Sequence, residues 1–187
     1  MKRMTNIRKY TSGKALASMS VVLTVASIFM TIVWQIPTAL ATSLEEIKVI
    51  REVPEPIDKV WNIVSVIDKE AKYWSIIKNI KNINKTDTMT EREVTVQAGP
   101  EGDARTHQIV IVDPDQFAVK MNITEGPITG SRLITLTPEN NTTTRVDVVW
   151  GIDLSGIPLL GKGFAKDSFQ RTTENALSNI AAAAEVK

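Results

Sequence analysis

His107 is the only histidine in the chain, and there is no cysteine. It sits on an alternating stretch with Arg105, Ile109 and Ile111 on the same side. An imidazole on an inward face would contact a ligand or move a proton near neutral pH. The simpler reading is a hydrogen-bonded or exposed strand histidine. One histidine without a second His or a Cys nearby does not make a zinc set. Arg51, Arg105 and Arg132 also lie on strand-like stretches. Turned inward, a guanidinium would hold a carboxylate or a quinone oxygen through paired hydrogen bonds. Turned outward, it would pair with acids across strands. Asp113 and Asp115 flank Pro114, where aspartate is favoured for turn geometry. No serine elbow, phosphate-cradling glycine loop or metal motif stands in residues 42–187. The expectation is therefore no catalytic set, no metal and no cofactor.

The elements that must position these groups follow from periodicity. Leu44–Val53 reads as a strand with Ile47, Val49 and Val53 on one side, closed by Pro54-Glu55-Pro56. Pro56 suits a helix start, and Ile57, Val60, Trp61 and Val64 recur at helical spacing. This predicts a buried Trp61. A second short helix is predicted from a capping Asp68 to Tyr73-Trp74. From Ile80 the period becomes two. Val94, Val96 and Ala98 alternate with polar residues, and Gly99-Pro100-Glu101-Gly102 turns the chain. Strands follow at Arg105–Val112, Phe117–Thr124, Gly130–Thr137 and Thr144–Leu154, with turns at Asp113-Pro114-Asp115, Glu125-Gly126-Pro127 and Pro138–Asn141. Such alternation marks antiparallel hairpins with one buried face. Gly156–Gly161 reads as an apolar loop carrying Ile157, Pro158, Leu159 and Leu160. Lys162–Glu185 reads as a long helix with an inner stripe of Phe169, Thr173, Ala176, Leu177, Ile180 and Ala184.

Residues 1–41 differ in kind from all of this. Lys2, Arg3, Arg8, Lys9 and Lys14 precede a stretch, Ala15–Ala41, that has no charge. Residues 15–36 are long enough to span a bilayer, which takes about 20 residues. Ala39-Leu40-Ala41 also offers signal peptidase a small-x-small site. Both readings, anchor and cleaved signal, keep the basic end in the cytoplasm and put residues 42–187 outside. The expectation is thus a domain at 42–187, either anchored in the membrane through 15–36 or secreted after cleavage near Ala41. Five of the 22 basic residues lie before Thr42. The remaining 17 face 21 acids, a net of −4. With no basic stripe, nucleic acid is a poor candidate partner, and none is expected.

Val53-Pro54-Glu55-Pro56 leading into Val60-Trp61 resembles the opening of the SRPBCC superfamily, the START-like, polyketide cyclase/dehydrase and coenzyme-Q-binding domains. Asp68, Trp74, Ile77 and Ile80 are similar to the continuation of that motif. Glu55 departs from the alanine common there. The resemblance spans nearly all of residues 44–185. It implies an α+β helix-grip fold: a strand, two short helices and six strands, the curved antiparallel sheet wrapping a long C-terminal helix over an apolar cavity. It implies an apolar small-molecule ligand, such as a lipid, quinone or isoprenoid-like compound. The alternative is a cyclase or dehydratase using His107 or a cavity arginine with Asp147 or Asp153. A further possibility is an interaction domain whose core fills its own cavity. The cavity residues expected on this basis are Arg105, His107, Met121, Arg132, Trp150, Leu159, Leu160 and Phe164. The last three would form a lid.

Overall fold

The computed structural model describes residues 44–97 and 102–186. The apolar segment 15–36, the processing site near Ala41 and turn residues 99–101 lie outside the described residues. Among the described residues, no helix is long and apolar enough to cross a membrane.

Seven strands form one antiparallel sheet in the order β1-β7-β6-β5-β4-β3-β2. They are β1 (Glu45–Val53), β2 (Ile77–Lys85), β3 (Met89–Gln97), β4 (Asp103–Asp113), β5 (Ala118–Glu125), β6 (Thr129–Asn140) and β7 (Thr143–Asp153). Helix α1 (Ile57–Val64) and a 3-10 helix (Ile67–Lys72) connect the two edge strands, β1 and β2. Helix α2 (Leu159–Glu185) closes the chain. This is the helix-grip arrangement implied by the sequence.

Alternation decides which face is buried. Ile47, Val49 and Val53 of β1 join Val146, Val148, Trp150 and Ile152 of β7 in the core. Thr173, Ala176, Leu177, Ile180, Ala181 and Ala184 are the buried residues of α2. Edge strand β2 carries Lys78, Lys81 and Lys85 among largely exposed residues. Such lysines discourage edge-to-edge pairing with another chain. At Gly130 (φ +145°) a Cβ would lie 2.2 Å from the carbonyl oxygen of Gly151, so only glycine lets β6 approach β7 there.

Local chemistry moves several boundaries. Helix α2 begins at Leu159, three residues before the expected Lys162, with Pro158 as its N-cap. Gly161 N–H donates to the Pro158 carbonyl at 2.7 Å, which winds the expected loop into a first turn. Strand β6 runs on through Pro138, which pairs with Thr144, and the bend falls after Asn140. Asp68 does not cap a helix. Its carboxylate accepts from Asn82 Nδ2 at 2.9 Å and Lys85 Nζ at 2.7 Å. Trp61 is only half-buried, edge-on to Phe117 at 5.6 Å, because Val60 and Val64 occupy the inner face of α1.

Candidate functional site

Under the first half of α2 the interior is hollow. A cavity of about 390 Å³ lies between that half-helix and the concave face of the sheet. Ala165, Ser168, Phe169 and Thr172 face it from the helix, and Ile157 from the segment before it. Met121, Ile123 and Trp150 line it from the sheet, and Pro127 and Ile128 from the β5–β6 connection. The size falls in the range of small-molecule sites, roughly 300–1,000 Å³. Trp150 is held firmly. Its Nε1–H donates to Thr173 Oγ1 at 2.9 Å, and that hydroxyl donates to the Phe169 carbonyl at 2.7 Å. Trp74 and Phe169 meet Trp150 edge-on at 5.9 and 5.0 Å.

At one side of this apolar space lies a buried charge cluster. A 3-10 helix repeats every three residues, so Ile67 and Glu70 share the inner face of Ile67–Lys72. Arg92 points inward from β3 with Thr90 and Val94, and Arg132 from β6 with Ile134 and Leu136. Glu70 accepts from Arg92 Nη2 through Oε2 and from Arg132 Nη2 through Oε1. Burial pushes the Glu70 carboxyl up, but the two guanidiniums together outweigh it and hold the group below its ordinary range. Glu70 is therefore ionised. Burial draws Arg132 below the ordinary guanidinium value, opposed by Glu70. Arginine nonetheless stays protonated in proteins. The cluster is thus two cations and one anion.

The two arginines are not equivalent. Arg92 also donates from Nε to Gln108 Oε1 at 3.0 Å and from Nη1 to the Ile67 carbonyl at 3.2 Å. Gln108 passes the chain on to Thr106 Oγ1 at 3.0 Å. Among the described residues, Arg132 donates only to Glu70, and its buried Nε has no partner. Its guanidinium lies 4.3 Å from the Trp74 ring and 5.2 Å from the Trp150 ring. Cation–π attraction of this kind offsets part of the lost hydration. Arg132 lines the cavity, as do Gln108 and Thr106.

Residues 45–185 match the family model described as polyketide cyclase / dehydrase and lipid transport. The chain belongs to this family. No curated protein matches the sequence. Solved structures share the fold of the polyketide cyclase / dehydrase and lipid transport domain at low identity. The Zhui aromatase/cyclase from a Streptomyces species is 12% identical with a TM-score of 0.67, covering 76% of this chain and 94% of its own. A START superfamily protein from Mycobacterium smegmatis is 13% identical with a TM-score of 0.56, covering 75% and 94%. The Thermus thermophilus protein TTHA0849 is 17% identical with a TM-score of 0.66, covering 75% and 97%.

Within this family fold, the residues singled out from sequence separate into three groups. Met121, Arg132 and Trp150 line the cavity and stand in one cross-strand row, Met121 opposite Arg132 and Arg132 opposite Trp150. Arg105 and His107 occupy the outer face of β4, correcting the inward assignment. Arg105 Nη1 lies 3.6 Å from Glu93 Oε1. His107 contacts Thr124 Oγ1 through Nδ1 at 2.9 Å and Glu91 Oε1 through Nε2 at 3.0 Å. Thr106 and Gln108 hold the inward positions instead. Leu159, Leu160 and Phe164 form no lid. They are 83%, 89% and 79% exposed, because helical winding turns Ala165, Ser168 and Phe169 to the cavity in their place.

Arg51 lies on the surface, donating to Ser178 Oγ at 3.0 Å. Asp147 pairs with Arg145 on the outer face of β7, and Asp153 Oδ1 accepts from Ser155 N–H. His107, Asp147 and Asp153 are thus not among the residues that line the cavity. Sequence reasoning missed Glu70 and Arg92. A signal for Arg92 was present, since it shares strand parity with Val94 and Val96. For Glu70 the signal was its three-residue spacing from Ile67.

Proposed function

We propose that residues 42–187 are a binding and carrier module for an apolar small molecule of the lipid, quinone or isoprenoid class. One observation carries this reading: an apolar-walled cavity of about 390 Å³ whose described lining includes no histidine, aspartate or glutamate. The family description, which names lipid transport beside cyclase and dehydrase activity, agrees with it. The N-terminal pattern of Lys2–Lys14 followed by uncharged residues 15–41 supports work outside the cytoplasm, tethered or released.

The test is mass spectrometry of an organic extract of the purified protein, with displacement of a fluorescent apolar probe by the compound found. A carrier yields a co-purifying apolar compound that competes with the probe. Failure of any lipid, quinone or isoprenoid to bind would leave the cavity without this role. Protease applied to intact spheroplasts tests the location. A tag at Lys187 that is cut before lysis supports export, and one protected until lysis opposes it.

A further inference from the structure

The ligand's head group can be argued from charge. Glu70 is shared between Arg92 and Arg132, so the buried cluster keeps one unbalanced positive charge. Burying a charge without a partner is costly. Arg132 is 2% exposed. Arg92 has its nitrogens satisfied by Glu70, Gln108 and Ile67. The deficit therefore falls on Arg132, whose Nε is buried without a hydrogen-bond partner and whose side chain borders the cavity. Its guanidinium carbon lies over the Trp74 and Trp150 rings. The nearby cavity groups Gln108 and Thr106 are neutral.

We infer that the cavity selects an apolar molecule bearing a single carboxylate, whose anionic head seats against Arg132 and balances the Arg92–Glu70–Arg132 cluster. This rests on the carrier reading above and narrows it. A carboxylate matches the planar guanidinium edge and supplies the missing unit of negative charge. A neutral quinone or alcohol would make a hydrogen bond but leave the charge uncompensated. The apolar tail would lie along Met121, Ile123, Trp150 and Phe169.

The experiment compares a long-chain fatty acid with the alcohol of the same chain length, by calorimetry on the full chain at neutral pH. A charge-assisted hydrogen bond in place of a neutral one predicts acid binding about tenfold or more tighter than alcohol. Arg132→Met should bring the two affinities together, and Arg132→Lys should keep the preference for acid. Equal affinities in the unmodified protein overturn the inference and leave the carrier reading standing. If neither compound nor any other apolar probe binds, both fall. A preference that survives in Arg132→Met overturns the assignment to Arg132. Should neither variant fold, the acid–alcohol pair on the unmodified protein decides alone.

Discussion

The two halves of α2 meet the same sheet in opposite ways. From Thr173 to Ala184 the helix buries six residues, three of them alanine. Small side chains let a helix approach closely, and Ala176, Leu177, Ile180, Ala181 and Ala184 share one core with Ile47, Val49 and Val53 of β1 and Val60 and Val64 of α1. From Leu159 to Thr172 no residue is fully buried, and the cavity lies beneath. Beside that half, apolar contact gives way to a buried ion cluster. One region is closely packed, and the other covers an open space bordered by Arg132 of the ion cluster. A single helix thus serves as lock at one end and roof at the other.

The largest effect is expected from breaking the ion cluster. Glu70→Leu strands two buried guanidiniums and should cost about 3–5 kcal/mol in a denaturant titration. Its pH signature follows from the lowered carboxyl. Stability from Glu70 is complete above the unfolded value, near 4.3, and is lost as pH falls through the lower folded value. The unmodified protein should therefore lose stability in acid, and Glu70→Leu should lose less of what remains over the same interval. An identical acid limb in both proteins would show that Glu70 is not ionised in the fold.

Next comes the locked half. Leu177 has 0% exposure, and Leu177→Ala should cost about 2–5 kcal/mol by thermal unfolding. Overfilling the same seam with Ala181→Leu should cost about 1–3 kcal/mol. If Ala181→Leu is neutral, the close approach of helix and sheet is not what holds this half. The smallest effect is expected at the roof. Leu159→Ser with Leu160→Ser should shift stability by no more than about 0.5 kcal/mol, as for surface positions generally. A large loss there would mean that these leucines are covered in solution, and the contrast between the halves would weaken.

The stripe Thr173, Ala176, Leu177, Ile180 and Ala184 was legible because a helical period with one apolar face admits one orientation. So was β7, where Val146, Val148, Trp150 and Ile152 alternate with Arg145, Asp147, Val149, Gly151 and Asp153. Strand β4 was not, because Ile109 and Ile111 stand on one parity and Val110 and Val112 on the other. With apolar residues on both faces, period two cannot choose between Arg105-His107 and Thr106-Gln108. Only pairing with β3 and β5 decides it, and a bulge between His107 and Gln108 shifts the register there. The first turn of α2 was hidden for a related reason. Two glycines around Pro158-Leu159-Leu160 read as loop, while the Pro158 carbonyl accepting from Gly161 makes it helix.

Residue types and spacings by themselves determined the strands and the inner helical stripe, and left the face of Arg132 open. The Arg92–Glu70–Arg132 cluster belonged to the tertiary structure alone. Its members lie 22 and 62 residues apart along the chain, and no local period links a 3-10 turn to two strands. Charge pairing in a buried site depends on which surfaces the sheet brings together, and that is a property of the closed fold.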